Sequence, residues 1–102
     1  MTQDGKLRKM GDTKKINDTT FMMEFMDQRR KRTPAWLLDL IEEYDTVDTS
    51  KCEVKAKPNT GLKLITIRIT IQYPDNTENI DELMKINEEE FMDYYKNEIG
   101  YI

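Results

Sequence analysis

Apolar and polar side chains alternate strictly between residues 65 and 73, and this pattern constrains the chain more than any other. A period of two is typical of a β-strand with one buried face. A shorter alternating segment covers residues 51–57, and the turn-forming sequence Pro58-Asn59-Thr60-Gly61 lies between the two. We therefore predict a β-hairpin with a core face made of Ile65, Ile67, Ile69, Ile71 and Tyr73.

Two helices are predicted before this hairpin. In the first, over residues 21–32, the apolar side chains recur at three- and four-residue spacing after the potential cap residues Asn17 and Asp18. Pro34 then begins a second helix that runs to Tyr44, since proline is favoured in a first helical turn. The apolar positions of the first helix are Phe21, Met22, Met23, Phe25 and Met26.

The last quarter of the chain is predicted to be helical and acidic. Asn79 with Glu82 and Asn87 with Glu90 each resemble a capping box, so we expect two helical pieces or one long helix bent near Asn87. The predicted fold class is therefore α+β, with two N-terminal helices, a two-stranded antiparallel hairpin and the acidic helix, in the order α-α-β-β-α.

Composition excludes much of enzyme chemistry. The 102 residues include no His and one Cys, so imidazole-based zinc sites, Ser-His and Cys-His catalytic pairs and an internal disulfide are not available. The three consecutive glutamates 88–90 point away from one another on a helix, so we read them as stabilising a helix start. We predict a protein that is not an enzyme and has no catalytic residue, metal or cofactor.

No apolar run approaches the length of a membrane span, and the polar N-terminal sequence lacks the apolar stretch of a secretory signal. We therefore expect no membrane contact and a cytoplasmic protein. Ile, Lys and Asn are frequent whereas Ala occurs only twice, a bias typical of AT-rich coding sequences. A low-GC bacterium or its phage is the expected source.

Charge is segregated along the chain. Residues 1–33 carry a net charge of +4, residues 34–74 of −1 and residues 75–102 of −7. Residues 1–15 are basic and lack apolar periodicity, so they are predicted to form a mobile basic arm, followed by one small domain over residues 16–102.

The basic residues suggest one possible function, the binding of DNA phosphates by an accessory or regulatory protein. A reading helix in the major groove is not supported, because the segment after the basic cluster at residues 29–32 presents acidic side chains that phosphates repel. Sequence-independent phosphate contacts remain as the alternative hypothesis. Their candidate residues are Lys14, Lys15, Arg29, Arg30 and Arg32.

The favoured hypothesis is a small protein-binding module, such as a phage-type or plasmid-type inhibitor or regulator of a host protein. Its predicted first helix carries more aromatic and methionine surface than one hairpin can cover, which favours burial against another chain and a homodimer. The acidic C-terminal helix would add charge complementarity. The predicted interface residues are Phe21, Met22, Phe25, Met26, Glu88, Glu89 and Asp93.

Overall fold

The computed structural model describes residues 5–29, 33–46, 50–59 and 61–99. They form a five-stranded antiparallel sheet and two α-helices in the order β-β-β-α-β-β-α. The elements are β1 Gly5–Lys9, β2 Lys14–Asn17, β3 Thr20–Arg29, α1 Ala35–Glu42, β4 Lys51–Asn59, β5 Leu64–Gln72 and α2 Ile80–Tyr94, and a π-helical turn, Tyr95–Ile99, continues from α2.

The sheet is effectively four strands wide. Strands β3 and β5 pair at its centre, and β4 pairs with the other side of β5. Strands β1 and β2 lie one after the other along the remaining side of β3, with Lys9 opposite Phe25 and Lys14 opposite Met22. Gly11, whose φ of 73° favours glycine, lies in the break between them.

The predicted fold class is wrong in its N-terminal half, because the segment predicted as the first helix is strand β3 over residues 20–29. Phe21, Met23 and Phe25 alternate with Met22 and Glu24, and the first set faces the core. Pairing with β5 along nine consecutive positions satisfies the backbone of this segment. The sheet therefore has five strands instead of the two of a hairpin.

Two stretches of the predicted basic arm are strands. Residues 5–9 and 14–17 pair with β3, and Leu7 packs against the core. Lys9 also forms an ion pair with Glu88 of α2, at 3.1 Å, which ties this edge of the sheet to the helix. Residues 1–4 of the arm lie outside the described residues.

One face of the sheet and both helices enclose the core. Strand β5 contributes four isoleucines that are fully buried, and α1 contributes Leu37 and Ile41. Phe91 of α2 lies at the centre of an aromatic cluster, with ring centroids 5.0 Å from those of Phe25 and Tyr44. The other face of the sheet carries no helix within the described part of the chain.

Helix α2 is continuous from Ile80 to Tyr94, and neither predicted capping box occurs. Asn79 has a left-handed backbone, and its side chain makes no capping hydrogen bond. Asn87 is fully buried in the middle of the helix, where its side-chain amide donates a hydrogen bond to the Tyr73 hydroxyl. The three glutamates at 88–90 therefore lie in the middle of the α2 sequence instead of in a first helical turn.

Among the described residues, no helix has both the length and the apolar composition that crossing a membrane requires.

Candidate interaction surfaces

The predicted aromatic-methionine surface is divided between the two faces of the sheet. Phe21 and Phe25 are 3% and 0% exposed and belong to the core, whereas Met22 and Met26 are half-buried on the opposite face. The excess apolar surface on a first helix, from which the interface was predicted, does not exist, because that segment is a strand with an enclosed core face. Met22 and Met26 remain available for contacts.

The acidic residues predicted for the interface lie on α2. Glu89 and Asp93 are exposed, whereas Glu88 is half-buried and forms an ion pair with Lys9. Glu82, Ile86, Glu89 and Asp93 follow one another at spacings of three and four residues, so they share one side of the helix. All four are exposed, and we name this surface the helical face.

The helical face is strongly anionic. Together, α1, α2 and the π-helical turn carry nine acidic and two basic side chains. Ile86, which is 42% exposed, is the apolar residue within this anionic surface. An apolar side chain ringed by like charges matches the general organisation of a protein interface, in which charged residues surround an apolar centre.

The opposite surface of the molecule is the uncovered face of the sheet, which we name the open sheet face. Directly opposed residues in antiparallel strands share a face, so the pairing register identifies its members. Its half-buried apolar side chains are Met22 and Met26, which lie on either side of Glu24 in β3, and Leu64, the first residue of β5. Among the side chains that the structure describes on this face, the charged ones are the basic residues Arg8, Lys14, Lys51, Lys55, Lys57 and Arg68 and the acidic residues Glu24 and Glu53.

Two ion pairs reduce the number of free charges on the open sheet face. A guanidinium nitrogen of Arg68 lies 3.4 Å from a carboxylate oxygen of Glu24 across the β3–β5 pair. The ammonium nitrogen of Lys55 lies 3.2 Å from a carboxylate oxygen of Glu53 along β4. Arg8, Lys14, Lys51 and Lys57 have no acidic partner among the residues placed on this face, so it carries a net positive charge.

The basic residues predicted for DNA contact do not converge on one surface. Lys14 lies on the open sheet face, but Lys15 lies on the core side, where its ammonium is 5.7 Å from the Phe21 ring centroid. Arg29 is the last residue of β3, and the structure does not describe its side chain. Arg30 and Arg32 lie outside the described residues. The open sheet face also contains Lys51, Lys55 and Lys57, which the sequence-based prediction did not include and which lie far from that cluster along the chain.

Two buried polar pairs join the helix layer to the sheet. The hydroxyl of Tyr95 donates a hydrogen bond to the carboxylate of Asp27, and both residues are buried. Asn87 and Tyr73 form the second pair. Each pair brings together a donor and an acceptor that would be costly to bury alone, so we assign both to the stability and alignment of the fold.

Cys52 faces the core side of β4, and its thiol has little nucleophilic character. Burial, with a smaller contribution from the nearby charge of Asp45, raises the pKa of this thiol to about 11. Only the thiolate reacts with alkylating agents, so the raised pKa keeps the side chain in its unreactive form at neutral pH. Cys52 is thus a small, partly buried residue that packs against the core.

This raised pKa predicts slow alkylation of the folded protein. At pH 8 we expect iodoacetamide to modify folded Cys52 roughly a hundredfold more slowly than the urea-unfolded chain, because the thiolate fraction falls tenfold for each pKa unit. Mass spectrometry measures the rate without ambiguity, since the chain has one cysteine. Equal rates in the two states would show that the thiol is accessible and that its pKa is ordinary.

The described residues contain no group of three or more potential metal-ligating side chains close enough to hold an ion. Comparison with known protein family models, with curated proteins and with solved structures finds no match to this chain.

Proposed function

We propose that this chain is a small non-enzymatic binding module that recognises another protein, in the manner of an inhibitor or regulator. The observation that carries this proposal is the separation of charge onto two opposite surfaces, an anionic helical face and a cationic open sheet face. Surfaces of one sign steer an oppositely charged partner into contact and reject partners of the same sign. The homodimer predicted from the sequence is one form of such binding.

The helical face is the first candidate for the contact with a foreign protein. Its four residues project from one side of a fifteen-residue helix, and the Phe91 cluster fixes the other side of that helix against the sheet. A rigid surface loses little conformational entropy on binding. The expected partner therefore presents a basic surface with an apolar depression that receives Ile86.

A charge-reversal variant tests this proposal. Immobilised wild-type protein is expected to retain a specific protein from a bacterial lysate at about 50 mM salt, and Glu89→Lys/Asp93→Lys is expected to lose it, because like charges then face each other. Quantitative mass spectrometry of the retained proteins measures the difference.

The matched control is Asp12→Lys/Asp18→Lys, which changes the net charge by the same amount at two exposed positions outside the helix layer. This control is expected to retain the partner. If both variants lose the same proteins, the binding depends on net charge alone and the proposed contact through the helical face is wrong.

The alternative function is the binding of nucleic-acid phosphates by the open sheet face. The observation in its favour is the ratio of six basic to two acidic side chains among the residues of that face whose side chains are described. The described part of the face offers no aromatic ring, however, and stacking on aromatic rings is the usual source of affinity for single strands. Contacts with duplex phosphates would depend steeply on salt.

Fluorescence anisotropy with a labelled DNA duplex tests this alternative. If the alternative holds, the duplex binds at about 50 mM salt and much more weakly at about 200 mM, and Lys55→Glu/Lys57→Glu binds it less at both. Unchanged binding in that variant would contradict a phosphate contact through this face.

A further inference from the structure

We propose that the open sheet face binds the helical face of a second copy of this chain, so that copies associate head to tail. This inference rests on the proposed function, since it identifies one protein partner of the module as the module itself. The two faces match in the sign of their charge, and both carry apolar side chains.

The two faces are opposite in charge. The open sheet face has four basic side chains without an acidic partner on that face, Arg8, Lys14, Lys51 and Lys57. The helical face presents three exposed carboxylates, Glu82, Glu89 and Asp93, and its neighbourhood in the helix layer is also acidic. Opposed surfaces of opposite sign favour one orientation of the two copies and disfavour contacts between like faces.

Both faces also carry apolar side chains. Met22 and Met26 are half-buried on the open sheet face, on either side of the Glu24–Arg68 ion pair, with Lys14 opposite Met22 and Arg8 opposite Met26. Ile86 projects from the helical face between carboxylates. Methionine side chains adapt readily to an inserted aliphatic group, so the second copy can place Ile86 against Met22 or Met26.

Size determines the strength of the contact. The open sheet face measures roughly 19 by 30 Å, whereas α2, with fifteen residues, is about 22 Å long and about 10 Å wide. A contact through this helix therefore buries about 440 Å² when both partners are counted, which is below the range of stable interfaces and predicts weak association that depends on charge.

The placement of the two faces determines the form of the assembly. The two faces lie on opposite sides of the molecule. When the open sheet face of one copy binds the helical face of another, the first copy still has a free helical face and the second a free sheet face. Such a heterologous contact repeats and produces a series of sizes instead of a closed dimer. We therefore expect the average mass to rise continuously with protein concentration.

Light scattering with two charge-reversal variants tests the proposal. The helix variant is Glu89→Lys/Asp93→Lys, and the sheet variant is Lys55→Glu/Lys57→Glu. At about 50 mM salt the wild-type mass is expected to rise with concentration, and at about 500 mM, where the screening length falls to about 4 Å, the association constant is expected to drop by roughly tenfold or more.

Mixing the two variants is the decisive experiment. Each variant alone is expected to remain a single chain. The reversed helical face of the helix variant repels the open sheet face. The open sheet face of the sheet variant, with four basic and four acidic described side chains, no longer attracts the helical face. In the mixture, the unmodified sheet face of the helix variant meets the unmodified helical face of the sheet variant, so association is restored. Circular dichroism of each variant verifies that the loss of association does not come from unfolding.

Three results would overturn the proposal. The first is a wild-type chain that stays single at low salt up to its solubility limit. The second is a helix variant that associates like the wild type, which indicates a contact between two sheet faces or strand edges. The third is a labelled DNA duplex that binds while the protein remains a single chain, which assigns the open sheet face to nucleic acid. Retention of a foreign protein through the helical face would still support the proposed function in each case.

Discussion

We expect the Phe25→Glu variant to be unfolded at room temperature. Phe25 is fully buried, and its ring centroid lies 5.0 Å from that of Phe91, so a carboxylate at this position would be in the core without a charged partner. An unpaired buried charge costs several kcal/mol, which is comparable with the total stability of about 5–15 kcal/mol of a typical domain. Far-ultraviolet circular dichroism and urea titration measure the loss.

Met26→Glu is the matched control, because it introduces the same charge one residue further along β3. Its side chain is half-buried on the open sheet face, opposite Arg8 and Thr66. We expect this variant to fold, since its carboxylate reaches water and lies beside a cation. Unfolding of both variants, or of neither, would contradict the alternation of β3.

The second large effect is expected for Phe91→Ala. The Phe91 ring is fully buried and contacts the rings of Phe25, Tyr44, Tyr94 and Tyr95, so its removal leaves a cavity where both helices meet the sheet. Truncation of a buried phenylalanine typically costs about 3–5 kcal/mol. The unfolding midpoint in urea should decrease accordingly while its slope stays the same.

Met92→Ala is the control for Phe91→Ala, because Met92 is the next residue of α2 and is 37% exposed. We expect it to change the unfolding free energy by about 0.5 kcal/mol or less, as most surface substitutions do. A similar loss in the two variants would mean that helix propensity, and not the aromatic cluster, determines the stability of α2.

The difference between β5 and β3 shows how much of the fold could be predicted. In β5 the isoleucines alternate with Thr66, Arg68 and Thr70, so one face is apolar and the other polar, and the strand was predicted. In β3 the methionines at 22 and 26 fill the outward positions and Asp27 occupies an inward one, so the period of two is obscured. Methionine and glutamate also favour helices, which strengthened the wrong prediction.

Long-range partners explain the remaining errors. The edge strands β1 and β2 have no clear apolar alternation, and they form because the neighbouring side of β3 is available for pairing. Asn87 has the sequence context of a helix cap, but its hydrogen-bond partner Tyr73 lies fourteen residues away and was not predictable from local spacing.

The candidate surfaces were predictable to different degrees. The exposed carboxylates Glu89 and Asp93 belong to one helix, so the local density of acidic residues in a predicted helix identified them from the sequence. The open sheet face combines residues of β1, β2, β3, β4 and β5, and only the pairing register brings them together. No local pattern marks a surface of that kind.

The break between β1 and β2 has a consequence for aggregation. Fibril growth by edge addition requires a long, uninterrupted row of free backbone amides and carbonyls. On the side of β1 and β2 that row is divided at Met10–Thr13. On the β4 side it is interrupted at Pro58, which has no backbone N–H, and Lys51, Lys55 and Lys57 lie within the strand. The break between β1 and β2 at one edge of the sheet and the repulsion between the lysines of β4 at the other edge both oppose amyloid-like stacking of this small protein.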